Sequence, residues 1–134
     1  MIKEFKNNRV YKEYIAVVQG MVSENIDIIA PILTIKKNNK AISVISPQGK
    51  EAHTVVSPLM VHAKFSKVKV VIKTGRTHQI RIHLKSASLP ILGDSMYGVL
   101  SNRVSRVMLH ASCMELFDYT LIAKEPIEFT KIMS

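Results

Sequence analysis

One segment near the middle of the chain combines groups that suit a polyanionic ligand. It spans residues 74–83 and reads Thr-Gly-Arg-Thr-His-Gln-Ile-Arg-Ile-His. Arg76 and Arg81 carry permanent charge on planar forks of donors, and the glycine before Arg76 allows another backbone to approach closely. His78 and Gln79 add neutral donors and acceptors. These residue types predict contacts with phosphates and base edges.

The charge distribution also favours an anionic partner. The formal net charge is +9, and residues 52–93 contain no Asp or Glu. This stretch holds seven cations: Lys64, Lys67, Lys69, Lys73, Arg76, Arg81 and Lys85. A cluster of that kind attracts phosphate backbones or anionic membranes, and its simpler alternative is a solvated lysine-rich face. Because no amphipathic helix with bulky aromatic residues is evident, we predict nucleic acid as the partner and no membrane.

Length and composition predict a single domain. The 134 residues are 47% hydrophobic, which is enough to form one core. The apolar run at 28–35 is far shorter than the roughly 20 residues of a membrane helix, and no leader peptide is recognisable. Cys113 is the only cysteine, so it forms no internal disulfide and fits a reducing compartment. We therefore expect one domain over residues 1–134 and a cytoplasmic location.

Hydrophobic patterning predicts the elements that position the segment at 74–83. Val68, Val70 and Ile72 alternate with Lys67 and Lys69, the period of a strand with one core face and one basic face. Strands are predicted at 13–18, 41–45, 53–62, 66–73 and 108–117, with an interrupted apolar stretch at 26–35. Short helices are predicted at 2–10 and in the tail after residue 126. The fold class is α+β, with a mixed, mostly antiparallel sheet and a few helices.

The segment itself fits either a strand or a helix, because its apolar residues satisfy both periods. We predict a helix, with Thr77 as its first cap and an end before Pro90. One face of this helix would be apolar and formed by Ile80, Leu84 and Ala87. The opposite face would be polar and formed by His78, Arg81 and Lys85.

Four blocks of the chain resemble, in the same order, the RNA pseudouridine synthases, which modify uridines in ribosomal and transfer RNA. A Lys-x-Tyr-x-Ala core lies at 12–16, and Gly-Lys-x-Ala-x-Thr at 49–54. The third block runs from 74 to 98 and ends Leu-Pro-Ile-Leu-Gly-Asp-Ser-Met-Tyr-Gly, and the fourth is Arg-Val-Met-Leu-His-Ala at 106–111. The resemblance covers nearly the whole chain and implies the C-terminal portion of a pseudouridine synthase catalytic domain.

The resemblance also implies a mechanism and a set of site residues. In that family an aspartate attacks a uridine flipped out of its RNA, and the uracil is rejoined to the ribose through carbon, without cofactor or metal. Carried over, Tyr14 would stack on the uracil, Arg81 would hold the aspartate ionised, and Leu109 would form the pocket floor. Each residue also has an alternative role. Tyr14 could be an ordinary aromatic residue of the sheet, Arg81 could bind a phosphate or form an ion pair only, and Leu109 could be a core residue.

The chain departs from the family pattern at the nucleophile. The expected His-Arg-Leu-Asp block is absent, since only eleven residues precede Lys12 and none is Asp. Asp27, Asp94 and Asp118 do not match its setting, and Asp94 is expected to serve as a turn or capping residue. We therefore expect the chain to begin inside the helix after the missing block and to be inactive alone. Uncovered sheet edge and apolar surface would then favour self-association or pairing with an upstream piece.

Two other functions follow from the residues. A non-catalytic RNA-binding module would use Lys64, Lys67, Lys69 and Lys73 to hold the backbone, with salt-dependent affinity. A metal hydrolase using His78 and His83 is disfavoured, because a five-residue spacing separates the rings on a helix and no carboxylate lies near them in sequence. We predict no metal site.

Overall fold

The computed structural model describes residues 10–100, 104, 106–116, 119–127 and 129. Within them it contains strands β1 (Val10–Gln19), β2 (Ile26–Ile29), β3 (Ile32–Lys37), β4 (Lys40–Ile45), β5 (His53–His62), β6 (Phe65–Ile72), β7 (Leu109–Leu116) and β8 (Tyr119–Ile122), and helix α1 (Gln79–Ser86). The predicted N-terminal helix falls almost entirely outside these residues, as does most of the predicted tail helix. No described helix is long and apolar enough to cross a membrane.

Six strands form one sheet in the order β2-β5-β6-β1-β7-β8, and every neighbouring pair is antiparallel. The strands β3 and β4 form a separate hairpin, whose turn places Asn38 and Asn39 at φ 53° and 64°. Asparagine tolerates this left-handed conformation, which two-residue hairpin turns require. The predicted α+β class with a mostly antiparallel sheet is confirmed.

Most of the core lies on one face of the large sheet, although the fully buried Val17 of β1 lies on the other. Ala16 and Val18 of β1 and Val68 and Val70 of β6 are fully buried on the first face, together with Leu84 of α1. Because side chains alternate along a strand, the lysines of β6 emerge on the other face. The alternation predicted for this strand is therefore confirmed, and the bounds of the five predicted strands agree with the observed ones to within a few residues. The interrupted stretch at 26–35 contributes β2 and most of β3, and β8 was not predicted.

A β-bulge interrupts the pairing of β1 with β7. Glu13 pairs with Cys113, but the next residue, Tyr14, pairs with Ala111, which leaves one residue of β7 unpaired. A regular alternation along the predicted strand at 108–117 places Leu109 and Cys113 on the same side, and this expectation was wrong. Because of the extra residue, the side chains of β7 before the bulge point to the opposite face of the sheet from the one that regular pairing would give them, so Leu109 and Ala111 lie on the same face as Tyr14. Bulges are often found near functional sites.

The predicted helix is confirmed, but its predicted cap was wrong. The cap position is occupied by His78 in a left-handed conformation (φ 55°, ψ 25°), without a side-chain capping hydrogen bond. Thr77 lies outside the helix, and its carbonyl accepts a 2.6 Å hydrogen bond from Ser43 Oγ. His78 therefore does not share a helical face with Arg81 and Lys85. The Gln79 side chain accepts the backbone N–H of Arg76 at 3.0 Å, a bond that fixes the loop before the helix and does not cap the helix itself.

Candidate functional site

A cavity of about 160 Å³ lies where β1, β7 and the start of α1 meet. Its walls include Tyr14, Leu109, Arg76, His78 and Arg81, which we call the β1–α1 cavity. The volume is several times the ~30 Å³ of a water molecule and below the roughly 300–1,000 Å³ of drug-sized pockets. These dimensions suit one flat ring with an aromatic side chain on one side and donors on another.

Arg81 is held by a buried ion pair. Its Nε donates to Asp94 Oδ2 and its Nη2 donates to Oδ1, both at 2.8 Å, and the Asp94 side chain is 0% exposed. Burial by itself would raise the pKa of Asp94, but hydrogen bonds from Arg81 and from the backbone N–H groups of Tyr97 and Met96 lower it overall. Asp94 is therefore an ionised anchor for the guanidinium.

The anchoring of Arg81 leaves part of its donor fork free. Among the described residues, none accepts a hydrogen bond from its Nη1. The guanidinium carbon lies 5.1 Å from the centre of the Tyr97 ring, which supports the flat face of the group. Since the side chain lines the cavity and is 25% exposed, a second anionic group can bind its outer edge. A planar fork can hold two carboxylates in this way.

His78 is hydrogen-bonded to Tyr97 at the wall of the cavity. The hydroxyl of Tyr97 accepts the backbone N–H of Ser43 at 2.7 Å and lies 2.8 Å from His78 Nδ1, and we assign the proton of this second bond to the hydroxyl. Burial, and then the nearby charge of Arg81, lower the pKa of His78. His78 is therefore a neutral imidazole with its proton on Nε2, and it offers that proton as a donor at the cavity wall.

The loop before α1 is fixed from inside by the amide of Gln79. Its Nε2 donates to His53 O and to Thr54 Oγ1, both at 2.9 Å. Its Oε1 accepts from Thr74 Oγ1 at 2.7 Å and from Arg76 N at 3.0 Å. Gln79 is 3% exposed and its amide has no capacity left. The structure gives Gln79 the role of supporting the loop, where the sequence predicted a contact with the ligand.

His83 extends the same network into the core. Its Nε2 donates to Ala30 O at 2.9 Å, so its Nδ1 must accept the Thr54 hydroxyl proton at 2.7 Å. The side chain is fully buried. With both nitrogens engaged, His83 is not available as a metal ligand, and the described residues contain no group of three or more potential ligands.

This network predicts acid sensitivity. Burial lowers the pKa of His83 in the folded chain below its ordinary value of about 6.5, so the unfolded chain binds the proton more readily. The free energy of unfolding should then decrease as the pH falls from about 6.5 toward the folded-state pKa. Urea titrations at several pH values across this window measure the decrease. The His83→Gln variant should show a shallower slope, and equal slopes in the two proteins would contradict the prediction.

The predicted lysine contacts are dispersed over the molecule. Lys67 and Lys69 project from the sheet face opposite Tyr14, because Lys69 pairs with Ile15 and Val70 pairs with Tyr14. Lys67 also donates to Glu125 at 2.7 Å, so its charge is compensated by an acid outside the acid-free stretch. The others are exposed: Lys64 in the β5–β6 turn, Lys73 after β6, and Lys85 beside a separate cavity. Of the seven cations in the acid-free stretch, only Arg76 and Arg81 line the β1–α1 cavity.

The chain matches a known protein family over nearly two thirds of its length. The family model described as RNA pseudouridylate synthase matches residues 1–86. The chain belongs to this family. The resemblance drawn from the sequence is therefore confirmed at the level of the family.

Known pseudouridylate synthases align with most of the chain. An uncharacterised RNA pseudouridine synthase of Helicobacter pylori strain J99 is 50% identical over 127 residues, which cover 95% of this chain and 52% of that protein. The ribosomal large subunit pseudouridine synthase D of Borreliella burgdorferi is 35% identical over 119 residues, 87% of this chain and 36% of that one. The chain thus spans about half, or less, of these relatives.

A solved structure carries the same fold. The human RNA pseudouridylate synthase domain containing 1 superposes with a TM-score of 0.78 at 29% identity, over 93% of this chain and 58% of that one. The β-rich architecture of the present chain accordingly matches part of a pseudouridylate synthase domain.

Neither described aspartate lines the β1–α1 cavity. Asp94 is buried and engaged by Arg81, while Asp27 lies on edge strand β2 with its side chain 63% exposed, 2.8 Å from His53 Nε2. Asp118 lies outside the described residues. The predicted turn role of Asp94 is confirmed, since its Oδ1 accepts the N–H groups of Met96 and Tyr97 at 3.0 and 3.1 Å.

Sequence reasoning missed three supports of the site. These are Asp94 as the anchor of Arg81, Tyr97 as the ring beneath it, and Thr54 as the relay between Gln79 and His83. A signal was available for the first two, because an arginine predicted at the mouth of a site must be oriented by some acid, and Asp94 and Tyr97 lie in the same quoted block. Thr54 is the last residue of the block quoted at 49–54, but nothing in the sequence shows that its hydroxyl bridges Gln79 and His83.

Proposed function

We propose that the chain is the C-terminal portion of the catalytic domain of an RNA pseudouridine synthase, which in complete form isomerises uridine to pseudouridine in ribosomal or transfer RNA. One observation carries the proposal: Tyr14, Leu109 and the free edge of Arg81 surround a single base-sized cavity. The proposed reaction takes place in the cytoplasm and uses no cofactor or metal. The name of the Borreliella relative favours ribosomal RNA.

In the proposed mechanism each wall of the cavity has one task. The ring of Tyr14 replaces the base stacking that a flipped uridine loses, which offsets a cost of a few kcal/mol. Leu109 keeps water from the base, and the Nε2–H of His78 donates to a uracil carbonyl. The outer edge of Arg81 binds the nucleophilic carboxylate and keeps its pKa low, while Asp94 holds the inner edge.

The proposal implies that the 134 residues are inert alone. The carboxylate must come from a segment that supplies an aspartate to the β1–α1 cavity, because the described aspartates do not reach it. Pairing with such a segment, or self-association, stays a prediction. It is supported by the edge strand β8, which has one described neighbour and carries Ile122 with 79% of its surface exposed.

A primer-extension assay with carbodiimide-modified RNA tests the function. Unmodified ribosomal and transfer RNA transcripts are incubated with the chain alone, with a completed protein carrying the upstream aspartate block, and with that protein after Asp→Asn substitution. Only the intact completed protein should produce stops at specific uridines. Product from the chain alone would show that the nucleophile is misassigned. RNA binding without product from the completed protein would favour the non-catalytic binding module.

A further inference from the structure

A second, larger cavity adjoins the β1–α1 cavity. Its volume is about 370 Å³, and it lies between β3, the turn that leads into Lys50, and the loop before α1. Arg76 lines both cavities, so they are neighbours along one surface. We call it the Gly75 cleft, after the glycine in its wall. Lys50 and Arg76 contribute positive charge to the lining, and no acidic side chain lines it.

Gly75 differs from the other glycines of the chain. A Cβ at Gly49, Gly93 or Gly98 would overlap backbone atoms, and at Gly20 it would lie 2.8 Å from a leucine side chain. At Gly75 the nearest atom is the Nζ of Lys12, at 3.8 Å, which is ordinary contact. The φ of Gly75 also lies outside the left-handed region. The chain's own packing and backbone therefore do not require glycine here, and the space beside it is open.

The open space is surrounded by cations with free donors. The Nε of Arg76 donates to Glu51 O at 2.7 Å, which fixes the side chain, and no described residue accepts from its two Nη groups. The Nζ of Lys12, from β1, lies 3.8 Å from the Cβ position of Gly75, and Lys50 lines the same cleft as Gly75. Three cations around a residue without a side chain form a place where a phosphate group can contact both backbone and charge.

We propose that the Gly75 cleft binds the phosphodiester group that flanks the flipped uridine. This inference rests on the proposed function and names the part of the RNA that lies outside the uridine cavity. The RNA backbone crosses Gly75, where a methyl group would obstruct it, and its phosphate lies among Lys12, Lys50 and Arg76. Because Arg76 borders both cavities, it contacts the junction between the base and this phosphate.

The test measures binding of a fluorescein-labelled hairpin RNA with a uridine-rich loop to the 134-residue chain, by fluorescence anisotropy over a range of salt concentrations. Gly75→Ala alters no charge and should weaken binding by about 10-fold through obstruction of the backbone. Lys50→Ala should lower the slope of log K against log salt by roughly 0.7–0.9, the value for one lost phosphate contact. Lys40 is an exposed lysine at the hairpin turn, so Lys40→Ala is the matched control for the loss of one charge. It should change the affinity less than Gly75→Ala does and the salt slope less than Lys50→Ala does.

Thermal unfolding separates binding from folding. Gly75→Ala should unfold at the same temperature as the unchanged chain or a higher one, because alanine restricts the unfolded chain and fits this site. Weaker binding with intact stability supports the phosphate cleft. If Gly75→Ala binds like the unchanged chain, or Lys50→Ala behaves like Lys40→Ala, the inference is overturned. Neither result depends on pseudouridine formation. Failure of the phosphate-binding inference can therefore be distinguished from failure of the proposed function.

Discussion

Replacing Arg81 with methionine in the 134-residue chain is expected to lower the free energy of unfolding by about 3–5 kcal/mol, the cost of removing one partner from a buried ion pair. The substitution keeps most of the aliphatic volume but leaves the carboxylate of Asp94, which is 0% exposed, without its partner. Two backbone N–H groups would still bind that carboxylate, but they do not neutralise it. Urea unfolding monitored by circular dichroism measures the loss.

A second substitution tests the cause of that loss. Asp94→Asn removes the buried charge and keeps an oxygen that can accept the two backbone N–H groups. The Arg81→Met/Asp94→Asn double variant should therefore regain about 1–3 kcal/mol relative to Arg81→Met alone. Lys85→Met, on an exposed position of the same helix, should stay within about 0.5 kcal/mol of the unchanged chain. A double variant less stable than Arg81→Met would show that the ion pair is not the source.

Arg81→Lys in the completed protein is expected to reduce the rate of pseudouridine formation by at least about 100-fold, the usual cost of one lost donor in a catalytic site. Lysine keeps the positive charge but has no planar fork, so it cannot hold Asp94 and the nucleophilic aspartate together. RNA affinity should change by less than about 3-fold, since one cation is exchanged for another. Single-turnover rates and dissociation constants on the same RNA separate the two effects.

The pH profile gives a further readout of the same variant. If Arg81 keeps the nucleophile ionised, its replacement raises the pKa of that carboxylate, and the acid limb of the rate profile moves to higher pH. Lys69→Ala provides the contrast, because Lys69 lies on the sheet face opposite Tyr14. It should weaken RNA binding modestly and leave both the single-turnover rate and its pH profile unchanged. An acid limb that does not move in Arg81→Lys would show that Arg81 does not keep the nucleophile ionised.

The sequence by itself determined five of the strands, the helix and the family, but it did not indicate strand β8. Apolar residues such as Val68 and Val70 alternate with lysines because a strand has a period of two residues. This period is a local property and is visible in the sequence. The resemblance directed attention to Tyr14, Arg81 and Leu109, and the structure brings all three to one cavity. Patterns that repeat over a few residues are visible in a sequence because neighbouring residues generate them.

Only the tertiary structure decided which groups act on one another. Arg81 is joined to Asp94 thirteen positions later, and Lys67 to Glu125 fifty-eight positions later, so the apparently uncompensated charge is partly neutralised. The bulge beside Tyr14 also reversed the facing of β7, and a single unpaired residue gives no periodic signal. Such contacts depend on where the folded backbone places distant segments, and local residue patterns do not contain that information.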